Sequence, residues 1–131
     1  MATISSTWTE AESLSFTNAS PAKDVVAVAE LDIANGGYAG VMIQLTLAFA
    51  AGIDGNATIY ITNSSNSGTT DDSVETPLFS QEVTYAAAAS RIISFQIMNT
   101  PYIQVHIKNG TSTEAELTLT GIYAGLKYTS A

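Results

Sequence analysis

The chain has 131 residues and a net charge of −8, from 12 acidic and 4 basic side chains, yet only 12% of its residues are charged and none is cysteine. That length corresponds to one domain, since domains usually run about 100–200 residues, and the missing thiols exclude disulfide staples, thiolate metal sites and cysteine nucleophiles. Lys23, Arg91, Lys108 and Lys127 are too few and too scattered to neutralise a phosphate backbone, so nucleic acid and anionic membranes are disfavoured as partners and neutral or basic protein surfaces stay open.

Eight strand-like stretches are predicted within a single domain over residues 1–131, with residues 1–6 as a flexible terminal arm. Met1 to Trp8 shows neither a basic region nor an apolar run of signal-peptide length, and the expectation is a chain made and kept soluble. The first stretch is Thr7 to Phe16, ended by Asn18 to Pro21, and the second is Val25 to Ile33, ended by Asn35-Gly36-Gly37. The third, Val41 to Ala50, has the clearest period of two. Val41, Ile43, Leu45, Leu47 and Phe49 alternate with Met42, Gln44, Thr46, Ala48 and Ala50, which offers one apolar face to a core and a milder face to something else. The longest apolar patch, around Leu45 to Ile53, is broken by Thr46 and Gly52 and falls short of the roughly 18 residues that span a bilayer.

Asp54-Gly55-Asn56 leads into the fourth stretch, Ala57 to Asn63, and reads as a tight hairpin link. Ser64 to Thr76 is polar and turn-prone and reads as a long surface loop. Leu78 to Thr84 is the fifth stretch. Ala86 to Ala89 is too short to nucleate a stable helix alone and reads as a turn or a single helical turn. Ile92 to Met98 and Tyr102 to Lys108 follow, joined by Asn99-Thr100-Pro101 as a hairpin, and Asn109-Gly110 turns the chain into the last stretch, Glu116 to Tyr128. Eight antiparallel strands predict an all-β sandwich in jelly-roll-like order.

Candidate chemistry is sparse. His106 shares a face with Gln104 and Lys108, opposite Ile103, Val105 and Ile107, and reads as a surface histidine without a spaced partner for metal or acid–base work. Asp71, Asp72 and Glu75, with Asp54 or Asn56, could gather oxygens for calcium, but the loop lacks the EF-hand spacing and a solvated acidic loop is the simpler reading. Glu10 with Glu12, and Glu114 with Glu116, sit two apart on a strand face without the aromatic-lined cleft that glycoside cleavage needs. Asn18, Asn56, Asn63 and Asn109 open Asn-x-Ser/Thr patterns that read as exposed turn chemistry. No catalytic, cofactor or metal site is predicted, and the chain is expected not to be an enzyme.

Thr76-Pro77-Leu78-Phe79-Ser80, Ile93-Ser94-Phe95 and the run Thr100-Pro101-Tyr102-Ile103-Gln104-Val105-His106-Ile107-Lys108-Asn109, followed by Leu117 to Tyr123, stand in an order that resembles small β-sandwich structural proteins of tailed bacteriophages. The resemblance covers roughly residues 41–123. Asp71-Asp72-Ser73-Val74-Glu75 departs from the pattern, and Gln104 stands where that group often carries a basic residue. The resemblance implies a capsid decoration or cement protein on the outer surface of the virion, produced in the host cytoplasm. It implies a homo-oligomer, with a trimer favoured, and the major capsid protein as partner. Val26, Val28, Met42, Ala48 and Ala50, apolar on outward strand faces, are the candidate interface, and the opposing reading is that they face a second sheet or are ordinary exposed residues. The alternatives are a carbohydrate- or receptor-binding module using Trp8, Tyr38, Tyr60, Tyr85 and Tyr102, or a tail or baseplate component.

Overall fold

The computed structural model describes residues 4–64 and 78–130. Nine strands follow in order: β1 Ile4–Trp8, β2 Glu12–Leu14, β3 Val26–Asp32, β4 Gly40–Phe49, β5 Ala57–Ser64, β6 Phe79–Val83, β7 Ser90–Met98, β8 Tyr102–Asn109 and β9 Leu117–Ser130. They form two antiparallel sheets. The first runs β1-β9-β4-β7, with β2 also paired to β9, and the second runs β3-β8-β5-β6. Taken together, these orders are those of a jelly roll, in which the chain passes repeatedly from one sheet to the other.

That topology corrects three expected hairpins. Asp54-Gly55-Asn56, Asn99-Thr100-Pro101 and Asn109-Gly110 do reverse the chain, but β4 and β5, β7 and β8, and β8 and β9 lie in different sheets. Turn chemistry encodes the reversal of direction, whereas what covers the apolar faces decides whether the next strand pairs beside its predecessor or crosses over it. Ala86 to Ala89 is a turn as expected: Ala89 N donates to Ala86 O at 3.0 Å, and Ala88 sits at φ 57°. A left-handed alanine costs about 1 kcal/mol, so Ala88→Gly is expected to raise the midpoint of urea unfolding with an unchanged slope.

The expected first strand is two strands. Trp8 pairs with Leu126 and Glu12 with Tyr123, so three residues, Thr9 to Ala11, oppose two, Ala124 and Gly125. This one-residue bulge switches the side-chain alternation between β1 and β2. Trp8 therefore faces outward, while Leu14, at the same sequence parity, is buried in the core. Thr9 holds the bulge, its N donating to Gly125 O and its Oγ1 accepting from Gly125 N, each at 2.8 Å. Residues 4–6 of the expected arm pair with β9.

Between the sheets lie the inward rows of each strand: Ala27, Ala29 and Leu31; Val41, Ile43, Leu45, Leu47 and Phe49; Ile59 and Ile61; Ile103, Val105 and Ile107; Leu117 and Leu119. One flank between the sheets is closed by Phe79 of β6 stacked on Phe95 of β7, their rings 5.7 Å apart. On the opposite flank, Phe16 bridges to Ala29 of β3 as the chain leaves β2. Tyr38 lies flat over Gly125, where any Cβ would stand 2.4 Å from the ring, and Lys127 Nζ sits 5.3 Å from the same ring. Gly125→Ala is expected to push Tyr38 off the sheet and destabilise the fold by about 1–3 kcal/mol, as overpacking does, read as a fall in melting temperature.

Candidate functional site

Strand alternation and the registers of β1, β9, β4 and β7 place one set of side chains on the outer face of the first sheet. Met42, Gln44, Thr46 and Ala48 stand across from Ala124, Ile122, Thr120 and Thr118 on one side and from Gln96, Ser94, Ile92 and Ser90 on the other. Ile4, Ser6 and Trp8 of β1 extend the face beside Leu126 and Tyr128. Not one of these strand positions carries a charge, in a chain of net charge −8. Six of the ten large hydrophobic side chains that the described residues expose lie here: Ile4, Trp8, Met42, Ile92, Ile122 and Tyr128. Ile92 is the most prominent away from the terminus, at 65% exposure. A pit of about 180 Å³ opens beside it, lined by Met42, Gln44, Ser94, Ile122 and Ala124, with Ala11 and Tyr123 at its side. Such a face offers shape, hydroxyl and amide groups and apolar area, the composition of a protein contact surface with no acid or base at its centre.

The five residues expected at an interface do not form one patch. Met42 and Ala48 are on this face and Ala50 is exposed just beyond the end of β4, whereas Val26 and Val28 lie on the outer face of the second sheet at its β3 edge. Two packed sheets stand about 10 Å apart, so the two groups point to opposite exteriors. Single-strand alternation does not mark Ile92, Ile122, Trp8 and Tyr128 as interface residues. Ile92 and Ile122 follow from the registers with β4, and Trp8 from the bulge.

The outer face of the second sheet differs. Tyr102, Gln104, His106 and Thr62 are all buried there. His106, expected on the surface, is 1% exposed, and its Nε2 lies 3.1 Å from Thr62 Oγ1. β8 is an interior strand flanked by β3 and β5, with Val28 and Tyr60 directly across from the histidine. Alternation assigned the face correctly but does not say whether that face is covered. Gln104 Nε2 donates to Glu30 Oε1 at 2.9 Å.

Two tyrosines carry raised pKa values. Burial, then the hydrogen bond to Glu30, pushes Tyr102 up to about 12, and the hydrogen bond to Glu12, 2.7 Å from Tyr123 OH, followed by burial, pushes Tyr123 up to about 12. Raised tyrosine values mean stability that is present below the free value near 10 and is lost as pH rises toward about 12. The expected result is a melting temperature that falls over that window. Tyrosinate absorbance should show two late-ionising groups, one of which disappears in Tyr102→Phe.

Asp54 is a clamp between loops. Thr111 Oγ1 donates to its Oδ1 at 2.6 Å, Ser112 N donates to Oδ1 at 3.0 Å, and Ser112 Oγ donates to Oδ2 at 2.6 Å. These bonds, the Ser112 hydroxyl first, lower its pKa to about 2. Asn56 donates to Glu82 Oε1 and accepts from Tyr85 N. Both residues considered for calcium are thus engaged by protein groups. Asp71, Asp72 and Glu75 lie outside the described residues, and among the described residues no three His, Asp or Glu side chains group as metal ligands. A lowered carboxylate pKa contributes stability above the free value near 4 that is lost as pH falls toward 2. Asp54→Asn is therefore expected to melt below the parent by a constant margin at neutral pH, with the margin closing between about pH 4 and 2.

The remaining candidates are dispersed. Glu12 pairs with Tyr123, while Glu10, Glu114 and Glu116 lie outside the strands, so neither acidic pair shares a strand face. Of the aromatic candidates, Trp8 and Tyr85 are exposed, Tyr102 is buried, and Tyr38 and Tyr60 are half-buried on different faces. Asn18 and Asn63 are exposed as expected and Asn56 is half-buried, but Asn109 is buried.

No known family model matches the chain, and no curated protein does. Among solved structures, a chain of the naturally occurring empty particles of cowpea mosaic virus, its top component, is similar at TM-score 0.48 and 10% identity, over 98% of this chain and 86% of that one. A chain of the cowpea mosaic virus empty virus-like particle gives 0.49 and 13%, over 98% and 83%. A chain of the Bacillus endospore appendages, described as disulfide-linked pili, gives 0.41 and 17%, over 95% and 88%.

Proposed function

We propose that this chain is a structural virion protein of a tailed bacteriophage, which decorates or cements the outer capsid surface through non-covalent contacts and works as a homo-oligomer. The observation that carries the reading is the outer face of the β1-β9-β4-β7 sheet, a broad surface without a charged outward strand position on which most of the large hydrophobic side chains exposed among the described residues gather. The resemblance of Ile93-Ser94-Phe95 and Pro101-Tyr102-Ile103 to phage sandwich proteins supports the virion setting; the former lies in β7 and the latter runs into β8, while Thr76-Pro77 is outside the described residues.

The role is mechanical and involves no catalysis. A protein that binds the assembled shell but not its separated subunits shifts the equilibrium toward the shell by mass action, by about 2.7 kcal/mol per site at a free concentration of 100 times the dissociation constant. The major capsid protein is the partner, the virion exterior the location and the host cytoplasm the place of synthesis. Co-sedimentation tests this. Purified protein mixed with shells that lack it is expected to pellet with them and to raise the temperature at which they come apart. Protein left wholly in the supernatant at micromolar concentration would overturn the reading.

A further inference from the structure

We propose that the outer face of the β1-β9-β4-β7 sheet is occupied by the same face of a second copy of this chain, related by a two-fold axis. The inference rests on the structural role proposed above for its biological meaning: it gives this face to the homo-oligomer contact and leaves the shell contact to the remaining surface of the pair, and its test requires no shell.

Charge is the first reason for choosing a second copy. Each chain carries −8, so two copies repel over most of their surfaces. Of the described acidic residues, Glu10 and Glu12 border the face, Glu10 on the bulge beside Ala11 and Glu12 on β2 bonded to Tyr123, and the others lie elsewhere: Glu30 and Asp32 on β3, Glu82 on β6, and Asp24, Asp54, Glu114 and Glu116 on the connecting segments. The outward positions of β4, β7 and β9 are where two such chains can meet with no carboxylate opposing another. A basic partner would have no charge to read here.

Size is the second. The ten residues of β4 span nine rises of about 3.4 Å, which across three to four strands about 4.8 Å apart gives a projected area of roughly 440–590 Å². The corrugated accessible surface is larger, and a stable interface needs about 800 Å² per partner. Two such faces stacked about 10 Å apart repeat the packing already present inside the sandwich.

Shape is the third. The projecting Ile92 and the pit lined by Met42, Gln44, Ser94, Ile122 and Ala124 are adjacent on one face. A two-fold axis passing between them seats the Ile92 of each copy in the pit of the other, the reciprocal contact that a two-fold interface requires. This gives a pair, in place of the trimer that the phage resemblance implies.

Sedimentation equilibrium of the full chain at about 10–100 μM, a range that a modest protein interface saturates, reads the result. The expected species has twice the 13.7 kDa chain mass. Ile92→Lys buries two unpaired ammonium groups per pair and is expected to weaken pairing roughly a hundredfold or more, as is Thr46→Arg in the middle of the face. Tyr85→Lys, exposed but on a connecting segment away from this face, is expected to leave the pair intact. Circular dichroism of both face variants should show a folded β protein, so that loss of the pair is not loss of the fold. A strictly monomeric parent, a pair that neither face variant disturbs, or a mass of three chains would each overturn the proposal. Pairing without binding to shells would leave this inference standing and remove the capsid role, and binding to shells as a monomer would do the reverse.

Discussion

Asn109→Ala is expected to destabilise the protein by about 3 kcal/mol, which for a chain of this size lowers the melting temperature by roughly 10 °C. The Asn109 side chain is 2% exposed. Its Nδ2 donates to Pro21 O at 2.9 Å and to Ala115 O at 3.0 Å, and its Oδ1 accepts from Thr111 N at 3.1 Å. One amide thus joins the segment before β3, the end of β8 and the loop that leads to β9. Truncation leaves Ala115 O and Thr111 N without the amide and Pro21 O with only its bond from Leu117 N at 3.1 Å, and an unmet buried polar group costs about 1–3 kcal/mol. Gly55 and Gly110 make the site possible. A Cβ on Gly55 would stand 2.5 Å from Gly110 O, and one on Gly110 would stand 2.4 Å from Asn56 O. Asn109→Asp keeps the shape but turns a carboxylate toward two carbonyl oxygens, so its deficit should match or exceed that of alanine at neutral pH. It should shrink as pH falls, because the protonated acid regains one donor. Thermal melts of both variants at neutral and acidic pH check this.

Leu45→Ala is expected to cost about 2–5 kcal/mol. Leu45 is fully buried in the middle of β4, with Ile93 of β7 across from it on one side and Gly121 of β9 on the other. Gly121 has no side chain to fill the space, and a Cβ built there would come 3.3 Å from Leu45 Cδ2 and 3.1 Å from Leu14 Cβ. Shortening Leu45 therefore opens a cavity beside a glycine. In that background Gly121→Ala is expected to recover part of the loss, although in the parent the same change crowds Leu45 and Leu14. A double-mutant cycle by urea unfolding reads the coupling, and additive effects would mean that the two sites do not share the space. Thr46→Ala, one residue along and facing outward, is expected to cost no more than about 1 kcal/mol, the span of strand propensity, well short of the Leu45 cavity.

Much of the fold could be read from the chain because one side of each strand had to be apolar. The alternation in Val41 to Phe49 fixes the inner row of β4, and the same reading of Ile103, Val105 and Ile107 fixes that of β8. Strand partners were not legible. Three turns that look like hairpin links join strands in different sheets, and nothing local to Asn99-Thr100-Pro101 or Asp54-Gly55-Asn56 records which face the next strand must cover. The bulge at Thr9 to Ala11 reverses the alternation midway through what reads as one strand, so Trp8 could be assigned to the outer face only from its pairing with Leu126. His106 and Asn109 are buried, against expectation, for a common reason. Polar residues at an outward position and in a turn suggest solvent, while tertiary neighbours enclose both. The candidate contact face was half legible. Met42 and Ala48 follow from β4 alone, but joining them to Ile92 and Ile122 requires knowing that β7 and β9 flank that strand.

Electron cryo-microscopy of shells that lack this protein, incubated with an excess of it, tests the assembly role most directly. The account predicts added density at symmetry-related sites on the outer surface, fitted by the two-sheet sandwich. Shells that gain no outer density, or protein found only on a tail, would contradict it.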